Sequence, residues 1–234
     1  MEPSALAVIP ARGGSKRIPR KNIRPMSGRP LIDWTIETAL TSGAFTEVIV
    51  STDDLEIAQI AESAGASVPF IRPDELANDT VTTGAVMAHA VEFMTNAGFT
   101  GEDVCCLYPS AIFVTAGDLN RARERLGTPP EGSQYVMTVV EYPHAIQRAL
   151  RITEDEMATP VSPEFALKRT QDLDRRFHDA GQFYWGKADA WRQLRPVLDS
   201  VKAYVLPQGS VVDIDTEDDW LLAEWIHAAI RRQP

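Results

Sequence analysis

Cysteine is nearly absent: the 234 residues hold two, adjacent as Cys105-Cys106 inside an apolar run. Such a pair forms neither a disulfide framework nor a metal-ligand spacing, and it fits a reducing compartment. Long hydrophobic runs are missing, since no stretch approaches the ~20 apolar residues that a bilayer-spanning helix needs. The chain opens Met1-Glu2-Pro3-Ser4, without the basic start and apolar run of a secretory leader. A soluble, cytoplasmic protein with no membrane partner is the expectation. Positive charge is scarce, with 23 Lys and Arg against 33 Asp and Glu and a net charge of −10. That balance speaks against a general affinity for nucleic acid or anionic lipid. The GxxxxGK[ST] and GxGxxG patterns are absent, so ATPase and dinucleotide readings lose their main support. No Ser/His/Asp or Cys/His spacing suggests a covalent nucleophile.

What the chain does have is a globular composition, 44% hydrophobic and 24% charged. At this length that predicts one domain over 1–234 with one well-buried core. No internal repeat or low-complexity segment interrupts it. Periodicity predicts strands at 5–10, 47–51, 68–71, 104–108, 135–140 and 202–206. Between them it predicts helices over about 32–40, 55–64, 84–94, 119–126 and 188–194, with a closing helix over 216–231. Alternation of this kind gives right-handed crossovers and a largely parallel sheet covered on both faces. Ligands of such sheets sit beyond the carboxyl ends of the strands. The pattern weakens over 141–185, which is rich in Pro, Arg, Gln and His and reads as an insertion carrying substrate or partner contacts.

Charge is unevenly placed. Arg12, Lys16, Arg17, Arg20, Lys21, Arg24 and Arg29 fall in one stretch that holds none of the acids. A dense basic loop on an acidic protein suits a small, highly charged anion. The loop begins Pro10-Ala11-Arg12-Gly13-Gly14-Ser15-Lys16-Arg17, directly after the first strand. Two glycines there let the backbone approach an anion and point N–H groups at it. Arg12 can fork onto phosphate oxygens, and Lys21 supplies a point charge. Near the other end stands Val212-Asp213-Ile214-Asp215-Thr216. Extended chain would turn Asp213 and Asp215 to one side and Ile214 to the core. Two hard carboxylates plus substrate phosphates suit Mg²⁺. Thr216 and the acids at 217–219 read as a helix cap and a dipole-complementing first turn. Capping is also the reading for Ser51-Thr52-Asp53-Asp54. His89 and His227 fall in helical periods as ordinary histidines, and Cys105 and Cys106 should be inert.

These residues resemble a known family. Ala11-Arg12-Gly13-Gly14-Ser15-Lys16 with Lys21-Asn22 is similar to the signature of bacterial sugar-acid cytidylyltransferases, the CMP-sialic acid synthetase group. Ser51-Thr52-Asp53, Arg72-Pro73 with Leu76-Ala77, and Asp213-Ile214-Asp215-Thr216 match it in order. A second set is most similar to the pseudaminic acid branch: Cys105-Cys106-Leu107-Tyr108, residues 146–150, 169–173 and 178–185. The resemblance implies a Rossmann-like three-layer α/β/α nucleotidyltransferase fold, with a small insertion over 141–185 used for dimerisation. By the same resemblance Arg12 and Lys21 bind the CTP triphosphate along the loop from Ala11 to Lys16, and Asn22 contacts cytidine. Arg72, Val81 and Thr83 line the cytosine and ribose pocket, and Asp213 and Asp215 hold Mg²⁺. Tyr108 stands where sialate synthetases carry a sugar-binding glutamine, and Ile112 stands where proline is expected. Arg148 and Arg169 are candidates for the sugar carboxylate. Gln147, Gln171, Gln182, Phe183 and Tyr184 complete the expected sugar contacts.

The implied reaction is transfer of CMP from CTP to a nine-carbon sugar acid, for surface glycan or flagellin glycosylation, by a homodimer. Related alternatives are synthetases for N-acetylneuraminate, legionaminate or Kdo. From other classes, a nucleotide-sugar glycosyltransferase would release CMP or a nucleoside diphosphate, and a regulator would bind CTP without turnover.

Overall fold

The computed structural model describes residues 4–128 and 132–231. Strand β1 (Ala5–Pro10) leads through the basic loop to a hairpin of β2 (Pro25–Met26) and β3 (Arg29–Pro30), then helix α1 (Leu31–Thr41). Next come β4 (Glu47–Ser51), α2 (Leu55–Ser63), α3 (Thr83–Asn96) and β5 (Asp103–Leu107). Helix α4 (Ala116–Leu126) and β6 (Tyr135–Glu141) follow, then a small hairpin of β7 (Leu150–Ile152) and β8 (Ala158–Pro160). The chain closes with β9 (Phe177–Lys187), α5 (Ala188–Arg192), β10 (Val201–Val205) and α6 (Glu217–Arg231).

Six strands form the central sheet in the order β10-β6-β9-β5-β1-β4. β1 pairs parallel with β4 and β5, β10 parallel with β6, and β9 runs antiparallel between β5 and β6. Alternation along β1 divides its side chains between the two faces. Ala5, Ala7 and Ile9 pack with Ile36, Ala61 and Leu119 from α1, α2 and α4. Leu6 and Val8 pack with Met87, Val91 and Trp191 from α3 and α5. The fold is therefore the expected three-layer one. A third cluster joins the ends of the chain: Ile214, Trp220 and Ala223 bury against Ile18, Met26, Leu31 and Trp34. Ile112 and Phe113 enter the same cluster, so the departure at Ile112 serves packing under α6.

Two expectations need correction. The strand expected at 68–71 is reduced to isolated bridges, Ile49 with Ser67 and Thr52 with Ile71. Pro69 lies between them and has no N–H to give a ladder. The irregular stretch over 141–185 is shorter than its composition suggested, because the chain rejoins the sheet at Phe177. A register shift opposite Met137 and Val139 masks the strand's alternation. There Gly181 takes a left-handed φ of 60°. The Thr138 hydroxyl repairs the ladder, donating to the Phe183 carbonyl (3.0 Å) and accepting from its N–H (3.2 Å).

Candidate active site

The basic loop leaves β1 at the carboxyl edge of the sheet. The Ala11 N–H donates to the Ser51 carbonyl at 2.9 Å, prolonging the pairing with β4. The Gly13 N–H then donates to Asp53 Oδ1 at 3.1 Å. A Cβ on Gly13 would stand 2.6 Å from Asp54 Oδ2, so this turn tolerates only hydrogen there. Asp54 is immobile because it caps α2, accepting from the N–H groups of Glu56 (2.9 Å) and Ile57 (3.0 Å), and pairs with Arg20. Arg20 itself holds a left-handed φ of 58° as the chain enters the short turn Lys21–Ile23.

That turn meets the C-terminal acid pair. Lys21 Nζ donates to the Ile214 carbonyl at 2.6 Å and lies 3.7 Å from Asp215 Oδ1. Arg17 Nη1 approaches Asp215 Oδ2 at 2.7 Å. Ile214 is fully buried, and Thr216 caps α6 in exchange with Asp219: Thr216 Oγ1 accepts from the Asp219 N–H at 3.2 Å, and the carboxylate accepts back from the Thr216 N–H at 2.8 Å. The acid pair is thus pinned between a packed side chain and a helix cap. Burial pushes the Lys21 ammonium below its usual pKa, opposed by Asp215 and Asp213. Burial, then the like charge of Asp215, raises the Asp213 carboxyl. Two carboxylates two residues apart fit a hard divalent cation. Among the described residues no group of three or more His, Cys, Asp and Glu is poised to hold a metal.

Between these parts lies a cleft of about 480 Å³. Arg12, Ser15, Lys16, Lys21, Asn22, Arg72, Val81, Thr83, Tyr108 and Asp215 all line it. The structure thus gathers the expected nucleotide-binding side chains from opposite ends of the chain. Ala11 is buried, and neither it nor Gly13 and Gly14 line the cleft. Asn22 Nδ2 holds the Arg12 carbonyl at 3.0 Å, and the hydroxyls of Thr83 and Tyr108 meet at 2.9 Å. Arg72 is 4% exposed, with its Nη2 3.4 Å from Asp53 Oδ1. Asp213 lines an adjoining cavity of about 280 Å³ with Glu141, His178, Asp179 and Gln208. The acid pair therefore stands at the wall between two hollows.

The expected sugar contacts divide. Tyr108 lines the cleft, and Tyr184 packs edge-on against it at 5.7 Å, its hydroxyl bonded to Asp179. Phe183 lines neither hollow and is fully buried on the α1, α2 and α4 side of the sheet. Adjacent strand residues face opposite ways, so Tyr184 and Phe183 cannot share a wall. Gln182 is fully buried and folded back onto the Ala180 carbonyl at 2.9 Å. Gln147, Arg148, Arg169 and Gln171 sit on the insertion and line neither hollow. There Gln147 donates to the Asp174 carbonyl (2.8 Å), Arg148 to Thr170 Oγ1 (3.4 Å), and Arg169 pairs with Asp172 (3.3 Å).

Three carboxylates at the site carry no site role in the sequence reading, although Asp53 and Asp179 fall within the motifs that resemble the family. Asp53 was grouped with the cap that Asp54 alone makes. Asp79 pairs with Arg12 at 2.6 Å and with Lys16, and no local pattern announces it. Asp179 follows the short insertion and is placed by the bulge in β9, which leaves no periodic signal.

The same architecture recurs in a CMP:2-keto-3-deoxy-manno-octonic acid synthetase complexed with CTP, with a TM-score of 0.71. That likeness covers 97% of this chain and 99% of the other at 19% identity, and is one of fold. The class is that of the nucleotidyltransferases. Within it, this chain belongs to the cytidylyltransferase family, whose family model matches residues 6–183. Pseudaminic acid cytidylyltransferase of Campylobacter jejuni is 38% identical over 223 residues, 95% of either chain. CMP-N,N'-diacetyllegionaminic acid synthase of Legionella pneumophila is 56% identical over 75 residues, 32% of either chain.

Proposed function

We propose that the enzyme transfers CMP from CTP to the anomeric hydroxyl of pseudaminic acid, releasing pyrophosphate. The observation that carries this reading is the single cleft lined by Arg12, Lys16 and Lys21 together with Arg72 and Asp215. Its full-length similarity to a pseudaminic acid cytidylyltransferase supports the choice of acceptor. Arg12, Ser15 and Lys16 take the triphosphate, with Gly13 and Gly14 letting the backbone come close. Asn22, Arg72, Val81 and Thr83 surround the base and ribose. The hydroxyl oxygen bonds to the α-phosphorus and gives up its proton to water, the bond to the bridging oxygen breaks, and its electron pair leaves on pyrophosphate. Such transfers depend on positioning and charge neutralisation more than on covalent help from the protein. Lys21, a partly buried cation, offsets charge on the departing group more strongly than an exposed one. When bound at Asp213 and Asp215, Mg²⁺ would neutralise phosphate charge and make the attacking hydroxyl more acidic.

The acceptor occupies the adjoining cavity, where Asp179, Glu141 and His178 offer polar partners for its hydroxyl and amide groups. We place the sugar carboxylate with Arg148 or Arg169 of a second copy. Leu150, Ile152, Met157, Val161 and Leu167 leave the insertion strongly apolar and exposed, a surface that suits burial in a homodimer. Among the described residues no helix is long and apolar enough to cross a membrane.

Pyrophosphate release measured with four nucleoside triphosphates and a panel of nine-carbon sugar acids, with and without Mg²⁺, tests the reading. Turnover should require CTP, pseudaminic acid and the metal together. Preferential use of N,N'-diacetyllegionaminic acid, which the local 56% match favours, would replace the acceptor. Absence of pyrophosphate release with every acid would refute the transfer itself.

A further inference from the structure

Asp53 ends the turn from β4 into α2, but Asp54 makes the cap. The Asp53 carboxylate is used differently. Its Oδ1 accepts from the Gly13 N–H at 3.1 Å and from Arg72 Nη2 at 3.4 Å. Gly13 belongs to the loop that carries Arg12, Ser15 and Lys16 into the cleft, and Arg72 lines the same cleft from a separate segment. One oxygen atom therefore joins two separate segments of the wall.

The energetics favour a fixed arrangement. Arg72 is 4% exposed, and Asp53 is its one ion-pair partner among the described residues. A guanidinium at that depth is costly without a counter-charge. Burial depresses the Arg72 pKa, and Asp53 opposes the depression. The backbone of Arg72 is held separately, its N–H donating to the Thr52 carbonyl at 2.7 Å. Loss of the carboxylate would therefore free the side chain without unpinning the backbone. Beside that contact, Arg72 Nε is buried with no partner. That donor is held in reserve for a ligand, and its direction is set from the Asp53 side.

We infer that Asp53 is the positioning residue of the nucleotide cleft, fixing with one carboxylate both the glycine loop and the Arg72 guanidinium. The inference rests on the nucleotide reading proposed above and adds to it the group that sets the spacing between its two ends. Asp53 touches no substrate. It acts through Gly13 and Arg72, so its removal weakens the hold on CTP and leaves the chemical step nearly intact.

CTP binding by titration calorimetry and the steady-state constants of wild type, Asp53→Asn, Arg72→Met and the double variant test this. Asp53→Asn should raise the CTP dissociation constant and KM about tenfold to a hundredfold, the scale of a charge-assisted hydrogen bond. The kcat should stay within about threefold, since only ground-state and transition-state binding in common is lost. In the Arg72→Met background the same Asp53→Asn change should cost less than about threefold, because coupled residues are not additive. The double variant also removes the uncompensated buried charge, and so supplies the answer if Asp53→Asn alone fails to fold. An unfolding midpoint that falls while the CTP constants stay at wild-type values would overturn the inference. So would full additivity between Asp53 and Arg72. Failure of the wild-type chain to bind CTP would instead remove the nucleotide reading, and the inference with it.

Discussion

Alanine at Gly13 and alanine at Gly14 should have opposite consequences, although the two glycines are neighbours in one loop. A Cβ on Gly13 would lie 2.6 Å from Asp54 Oδ2 and 3.0 Å from Asp54 Cβ. Asp54 cannot retreat cheaply, because two backbone N–H groups of α2 and the Arg20 guanidinium hold it. If Asp54 moves, α2 loses its cap, at about 1 kcal/mol. If the loop moves, the Gly13 bond to Asp53 is lost, at about 1 kcal/mol. Strain from a side chain forced into filled space runs to about 1–3 kcal/mol, so a total near 2 kcal/mol is expected. For a chain of this size that is a fall of about 4–8 °C in unfolding midpoint. At Gly14 an added Cβ meets nothing within 4 Å, and φ there is not positive. Gly14→Ala should therefore leave the midpoint unchanged or raise it slightly, by up to about 1 kcal/mol in stability. Thermal unfolding of both variants, with KM for CTP on Gly13→Ala, is the assay. Gly13→Ala should combine the lower midpoint with weaker CTP use. Equal midpoints for the two variants would refute the claim that the Gly13–Asp54 approach shapes the loop.

Lys21→Ala and Asp215→Ala should each lower kcat by about 10²–10³, the scale for one preorganised charge; pyrophosphate release reads this directly. Phe183→Ala should cost about 3–5 kcal/mol in chemical unfolding as a core truncation, whereas a sugar contact would change the acceptor KM and spare stability. For Asp54, the hydrogen bond from Arg20 holds the carboxyl below the usual aspartate range. Its contribution is complete above the unfolded value of about 3.9 and disappears as pH falls through the depressed folded value. The stability gap between wild type and Asp54→Asn should therefore be largest near neutrality and close below about pH 4, as urea midpoints across pH would record.

Much of this molecule is legible in its sequence because the relevant signals are local. The apolar run of β1, the periodic faces of α1 and α2 and the Thr216 cap each follow from neighbours in the chain. The cations of the glycine loop and the acids at Asp213 and Asp215 were visible as types, and Ile214 as their buried anchor. Their convergence depended on the α6 cluster, which no local pattern records. Errors arose where long-range pairing overrode local appearance. Pro69 prevented a full strand at 68–71, and the bulge at Gly181 disguised where β9 begins. Asp53 and Asp79 matter through partners 19 to 67 positions away, which no local pattern records.

The most direct test is a crystal structure of the enzyme with CTP and Mg²⁺ bound. The triphosphate should lie against Arg12 and Lys21, the base against Arg72, and the metal on Asp213 and Asp215. A nucleotide seated away from the basic loop, or a metal held without either aspartate, would contradict the account.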